Sequence, residues 1–353
     1  MLFRSGITRF FRGDPLNWLA ENVRLPHSAR STTFSPKNAP WLNDIIRAVT
    51  DDRIKQIVVR APTGGGKTTL LELVVPWIIA QQPGPMLIVG QTDETSKEWA
   101  ESRLIPILES CKPVAKLFPT DRHQKRKTSI LFPHMAMFLA GANLSSLQEK
   151  SMRYCYGDEC WRWEPGMIGE LKKRHHDRWN RKTILCSQAG NAGEDFDLEF
   201  SAGTIYEWGA ECESCGQWHK MLWSSIRYDE AKAADGGWDW QRLANSVRHH
   251  CPHCDHVTLD TAQGRRGLSS RGSYQVQDGN QPISGNVSFT WSALGVWWIQ
   301  WADLVIEWIK AQESKRAGMI DPLRQFFQKR MAQSWRAENE TPEMNLTAGD
   351  YYL

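Results

Sequence analysis

The octapeptide Ala61-Pro62-Thr63-Gly64-Gly65-Gly66-Lys67-Thr68 constrains this chain more than any other feature. Three consecutive glycines let a backbone approach a phosphate closely, so that successive amide N–H groups point at its oxygens. Lys67 supplies a cation for the β- and γ-phosphates and Thr68 a hydroxyl for Mg²⁺. The flanking residues fit this use. IKQIVVRA reads as a short β-branched strand running into the glycines, and Thr68 to Ala80 reads as a buried helix that Pro76 kinks or ends. Ala61 stands where the usual pattern has its first glycine, a small-for-small exchange at the strand exit. The predicted nucleotide contacts are Pro62, Thr63, Gly64, Gly65, Gly66, Lys67, Thr68 and Thr69.

Hydrolysis, as opposed to binding alone, needs a carboxylate for the Mg²⁺ shell and a second one for the attacking water. Asp158 and Glu159, at the end of MRYCYGDE, are the expected pair: Asp158 with Thr68 for Mg²⁺, and Glu159 with Lys67 in catalysis. Arg153 and Gly157 make that strand less apolar than its neighbours. Ser187 and Gln188 end the strand-like KTILCSQ and are expected at the edge of the sheet where ligands collect, both sensing the γ-phosphate. Arg60, Arg103, Arg153 and Arg162 are candidates for an arginine reaching that phosphate.

Between these motifs, MLIVG (86–90) reads as a strand, Glu94 to Ser110 as a polar helix, KTSILF and MAMFLAG as a hairpin turning at Pro133 and His134, and LKKRHHDRW as a helix. Alternating strands and helices predict an α/β fold: a P-loop NTPase with a mostly parallel sheet and helices on both faces. A small zinc-ribbon lobe and a C-terminal helical segment are expected beside it. The expected division is an arm over 1–40, an ATPase core over 41–200, the zinc lobe over 201–272, and a strand and helices over 273–353 returning to the core.

The zinc lobe is read from Cys212 and Cys215 in CESCG and Cys251 and Cys254 in CPHCD. Two C-x-x-C knuckles give four thiolates, the closed tetrahedral set of a structural Zn²⁺. His249, His250, His253 and His256 crowd the second knuckle as substitute ligands or as surface residues.

A net charge of +3 names no partner by itself, so nucleic-acid contact must come from local clusters such as KKRHHDRWNRK (172–182) and DRHQKRK (121–127), or those are solvated faces. Eighteen tryptophans exceed ordinary usage and serve packing before stacking. No apolar run is long enough to span a bilayer, and the Arg-interrupted opening MLFRSGITRFFRGD lacks a cleavage pattern, which excludes a membrane protein and argues for a non-secreted one.

The run TFSPKNAPWLNDIIRAV, the glycine loop, FLAGANLSSLQEKSMRYCYGDE, the paired C-x-x-C and FFQKRMAQSW, taken together over residues 32 to 336, resemble the large terminase subunit of lambda-type tailed bacteriophages. The resemblance implies an ATPase that drives double-stranded DNA into a procapsid as a homo-oligomeric ring on the portal protein, with a small terminase subunit as partner, in the cytoplasm of the infected bacterial host. It implies Lys67 and Thr68 as the Walker A pair, Asp158 and Glu159 as the Walker B pair, Ser187 and Gln188 in the coupling motif, and Phe34 near the adenine. It also implies an N-terminal arm facing the small subunit. Gly64 and Gly65 replace a more usual Gln-Val, and Ser187-Gln188 depart from the family's Ser-Thr-Pro. An RNase H-like nuclease domain normally follows, and no nuclease activity is expected of these residues. Rival readings are a helicase-like DNA translocase, and a zinc-ribbon DNA-binding scaffold with a non-catalytic nucleotide site.

Overall fold

A computed structural model describes residues 13–28, 31–121, 123–147, 151–175, 177–277 and 283–336. The opening MLFRSGITRFFR, Arg122, Gln148, Glu149, Lys150 and His176, named above in the arm, the basic clusters and the quoted motifs, and the stretch from 337 onward, lie outside the described residues. The fold is α/β with a mostly parallel sheet, and the chain forms two compact units.

The first unit comprises 1–38, 42–57 and 68–185. Its strands are β1 (Gln56–Arg60, whose last three residues belong to the second unit), β2 (Met86–Gly90), β3 (Lys125–Arg126), β4 (Ser129–Phe132), β5 (Met135–Gly141), β6 (Tyr154–Asp158) and β7 (Lys182–Ser187, which also passes into the second unit). Their order is β7-β6-β2-β5-β4-β3. β2 pairs in parallel with β6 and β5, in registers that set Val89 opposite Gly157 and Gly90 opposite Gly141. These three strands therefore end on one edge. The expected hairpin is present: β4 and β5 are antiparallel, with Phe132 opposite Met135 across Pro133 and His134. All six residues of β7 are buried, as a strand covered on both faces requires.

Two helices differ from expectation. The helix after the glycine loop spans Lys67–Gln81 and continues through Pro76, so that of the two effects expected of Pro76 the ending does not occur. The second difference lies near the basic run, where the helix is Met167–Lys172, followed by a 3₁₀ turn over Lys173–His175. It begins earlier than the charged pattern suggested because Ile168 and Leu171 supply its buried face. The predicted Glu94–Ser110 helix exists with a π turn over Ala100–Leu104, just ahead of Pro106, whose missing N–H interrupts the regular ladder.

The second unit comprises 39–41, 58–67 and 186–353. Its sheet runs β13-β8-β14-β1, where β8 is Thr204–Glu211, β13 Gly272–Val276 and β14 Asn286–Thr290, and β9 (Trp218–Lys220) pairs with β8. β14 is parallel to β8 and β13 antiparallel. A separate three-stranded sheet joins β10 (Ile226–Arg227), β11 (Arg248–His250) and β12 (Val257–Leu259). Helices Trp301–Arg316 and Asp321–Phe326 bury Trp301, Leu304, Val305, Leu323 and Phe326 in this unit's core.

Candidate nucleotide and metal sites

In the second unit the glycine loop leaves β1 as a tight turn. Gly65 N donates to Pro62 O at 3.1 Å, and Gly64 and Gly66 adopt φ of 76° and 99°, a region open to glycine and costly for other residues. Gly65 is required by space: a Cβ there would lie 2.8 Å from Pro62 Cγ and 2.9 Å from Trp291 Nε1. Lys67, only 7% exposed, points its Nζ at Pro62 O across 3.3 Å. It curls back over its own loop. The Ala61 amide donates to Ser187 O at 3.0 Å, and Thr63 Oγ1 donates to Gln188 Oε1 at 3.3 Å. Ser187 and Gln188 thus stand beside the loop, as expected of a strand tip at this edge. Gln188 is buried, and its Nε2 has no hydrogen-bond partner, a donor available to an incoming oxyanion.

The loop is braced from behind by residues that the spacing of motifs did not reveal. Trp41 Nε1 donates to Gly65 O at 2.9 Å and Trp298 Nε1 to Gly64 O at 3.0 Å. Thr63 N donates at 2.8 Å to the carbonyl of Lys329, inside a π turn over Phe327–Met331. The unusual tryptophan content was the one sequence signal that could have drawn attention here.

In the first unit, Thr68 and Thr69 are half-buried in the first turn of the Lys67–Gln81 helix. Asp158 ends β6 and Glu159 follows it with φ of 50°, an uncommon left-handed conformation for a residue with a side chain. Two indoles hold this corner: Trp161 Nε1 donates to Glu159 Oε2 at 2.9 Å and Trp163 Nε1 to Asp158 O at 3.1 Å. Gly157 is what lets them in, since a Cβ would lie 2.8 Å from both Cys160 Sγ and Trp163 Cη2. The weakly apolar character of this strand therefore reflects close packing at Gly157. Arg153, at the opposite end, is buried and donates to the carbonyls of Gln82, Pro83 and Asn180.

Three of the four candidate arginines are occupied within their own units. Besides Arg153, Arg103 lies 2.7 Å from the buried carboxylate of Glu72, whose pKa is raised by burial against the pull of Arg103. Arg60 sits over the Phe200 ring at 3.7 Å, bonded to Asp197 and Ser334, with burial lowering its pKa to about 10. Arg162 is exposed beyond the Asp158–Glu159 corner and donates to Gln91 Oε1 at 3.2 Å. Phe34, expected near the adenine, is buried at 5% exposure.

The four cysteine sulfurs of the second unit all lie within 4.8 Å of one another, with Cys212–Cys254 at 3.7 Å and Cys215–Cys251 at 3.9 Å. Tetrahedral Zn–S bonds of about 2.3 Å place sulfurs about 3.8 Å apart, so the set fits Zn²⁺. The crowded sulfurs also bias one another's ionisation. Against the cost of burial, the Cys215 and Ser214 amides bring Cys212 down to about 6. At Cys215 the Gln217 amide favours ionisation, yet burial and the neighbouring sulfurs push it up to about 12, because crowded thiols cannot ionise together without a positive charge among them. Each knuckle closes through a left-handed residue, Gly216 at φ 69° and Asp255 at φ 58°. No histidine joins the cluster among the described residues. His250 Nδ1 pairs with Asp255, His253 Nε2 lies 3.2 Å from Trp218 O, and the His249 ring stacks on His219.

Both basic runs are partly committed to structure. Lys125 and Lys127 pair with Glu109 and Glu101, His175 meets Thr183 Oγ1 at 2.9 Å, and buried Lys182 donates to the carbonyls of Ala48, Asp51 and Ile54. Trp179, 77% exposed with Lys55 over its ring at 5.9 Å, is left on the surface. No helix among the described residues is long and apolar enough to cross a membrane.

Comparison with known proteins assigns the sequence to a family. No curated protein sequence matches the chain. Solved structures with similarity include the HK97 bacteriophage large terminase, at 14% identity and a TM-score of 0.44 over 54% of this chain and 40% of that one. The large terminase ATPase domain of Thermus phage P74-26 aligns at 12% identity and a TM-score of 0.42, over 82% of this chain and 93% of that one. The UvsW helicase of bacteriophage T4 aligns at 13% identity and a TM-score of 0.35, over 50% and 60%. These likenesses are too distant to carry an argument, and the chain spans less than half of the HK97 protein. The family profile of the phage terminase large subunit gpA, ATPase domain, matches residues 28–272, more than half of the sequence. The chain belongs to the family of phage terminase large subunit gpA ATPase domains.

Proposed function

We propose that this chain is the ATP-hydrolysing motor portion of a DNA-packaging terminase that moves double-stranded DNA into a procapsid. The observation that carries the reading is the glycine loop: two left-handed glycines, a Gly65 with no room for a methyl group and a buried Lys67, in a chain of this family. Pro62 to Thr69 bind the triphosphate, and the Lys67 ammonium neutralises charge as the bond to the γ-phosphate breaks. Glu159 accepts a proton from the attacking water, while Gln188 donates its unpartnered amide N–H to the γ-phosphate and reports its loss. When bound, Mg²⁺ supplies charge neutralisation on the β- and γ-phosphate oxygens, and Thr68 and Asp158 are the residues that would hold it. Arg162 is the arginine we assign to the transferring phosphoryl group, because Arg60, Arg103 and Arg153 are bound up elsewhere.

Cys212, Cys215, Cys251 and Cys254 hold a structural zinc that ties the two knuckles together. The working assembly is a homo-oligomeric ring on the portal protein with a small terminase subunit, in the cytoplasm of the infected bacterial host, and the 1–40 arm meets the small subunit. Nuclease activity is not assigned to these residues.

Steady-state ATP hydrolysis with and without duplex DNA tests the reading. Stimulation by duplex DNA with no displacement of a forked strand is expected. Forked-strand unwinding would instead indicate a helicase-like translocase, and absence of hydrolysis a scaffold.

A further inference from the structure

We propose that Trp41 and Trp298 are positioning residues of the phosphate loop, their indole N–H groups gripping two consecutive carbonyls from behind so that the loop's amides are aimed before nucleotide arrives. The inference rests on the reading above that this loop holds nucleotide phosphates. Three glycines in succession form the most pliable run a chain can have, so something outside the run must fix it. In a trans peptide unit the carbonyl of one residue and the N–H of the next point in opposite directions. Trp298 holds the Gly64 carbonyl at 3.0 Å and thereby the Gly65 N–H, which closes the turn onto Pro62 O. Trp41 holds the Gly65 carbonyl at 2.9 Å and thereby turns the Gly66 N–H to the opposite face, where a glycine loop presents its amides to phosphate.

The two donors are themselves held. Trp41 is fully buried, its ring 5.1 Å from Trp298, 6.3 Å from Trp208 and 6.4 Å from Trp291, and its own carbonyl accepts from Tyr274 Oη at 2.9 Å. Trp298 follows Trp297, whose carbonyl accepts from Arg265 Nε at 2.9 Å, and buried Arg265 is paired with Asp260. The clamp is thus tied to the Ala262–Ser270 helix, just beyond the second cysteine knuckle. Packing alone asks for a ring. It does not ask that two indole N–H groups address adjacent carbonyls of one loop.

The test compares Trp41→Phe and Trp298→Phe, which keep a ring and delete the N–H, with Trp238→Phe, which deletes an indole bond to Glu313 elsewhere in the same unit. ADP affinity is measured by calorimetry with Mg²⁺, thermal melting without nucleotide, and KM and kcat for ATP. Each clamp variant is expected to weaken ADP binding about tenfold, the loss of roughly one hydrogen bond, and to raise KM in step while kcat changes less than KM. Trp238→Phe should leave the ADP affinity unchanged. If Trp41→Phe does not fold, the half-exposed Trp298→Phe carries the test. Wild-type protein that binds ADP while both clamp variants bind it equally well, even with lowered melting temperatures, overturns the clamp and leaves the functional reading standing. Wild-type protein that binds neither ADP nor ATP overturns both.

Discussion

Gly65 is enclosed on three sides, by the Pro62 ring, the Pro62 carbonyl and the Trp291 indole. Gly65→Ala forces one of these to shift, an overpacking cost of about 1–3 kcal/mol concentrated in the loop. The expected outcome is a loss of ADP affinity of at least about fivefold, with a drop of a few degrees in melting temperature, read by calorimetry on titration and on heating. An unchanged affinity would mean that the loop does not contact phosphate. Gly157 makes the same argument at the acidic corner, where Gly157→Ala displaces Trp163 and with it the indole bond to the Asp158 carbonyl. Turnover should fall in that variant more than nucleotide affinity does, which a comparison of kcat with Kd measures.

At the scale of elements, the cysteine cluster and Asp260 make separate predictions. If the four cysteines hold zinc as proposed, its chelation, or Cys251→Ser, should release one metal ion per chain and loosen the two knuckles enough to open them to protease. A metal-free protein with an unaltered cleavage pattern and melting temperature would contradict the structural role. Asp260 accepts from the amides of Trp301 and Ala302 at 3.2 and 2.7 Å and is the ion partner of buried Arg265. Asp260→Ala therefore strips a helix N-terminus of its acceptor and strands a buried guanidinium, at a cost of about 3–5 kcal/mol, measurable by urea unfolding. The paired cysteines and the glycine loop were legible in sequence because their chemistry is set by residues a few positions apart. Asp260 and the tryptophan clamp were not, since 260 meets 301, and 41 and 298 meet 65 and 64, only after the chain has folded. The basic run at 172–182 misled for a related reason. Its charges suggested one helix, whereas burial of Ile168 and Leu171 ends the helix at Lys172 and burial of Lys182 begins a strand.

For the whole molecule, the proposal is that nucleotide turnover drives movement along DNA. The exposed Trp179, with Lys55 over its ring and Arg178 and Arg181 alongside in sequence, is a surface on which duplex contact can be tested. Reversing charge at Lys55 and Arg181 should leave basal ATP hydrolysis intact and, if this surface grips DNA, reduce stimulation by duplex, with the difference shrinking as salt rises. The central proposal is that the Asp158–Glu159 corner carries the hydrolytic step of an ATPase of this family. Its most direct test is ATP binding and turnover by Glu159→Gln. The account predicts ATP affinity within about threefold of wild type and turnover reduced at least about hundredfold, as expected when a general base is removed and the binding loop is kept. Turnover at the wild-type rate in Glu159→Gln would contradict it.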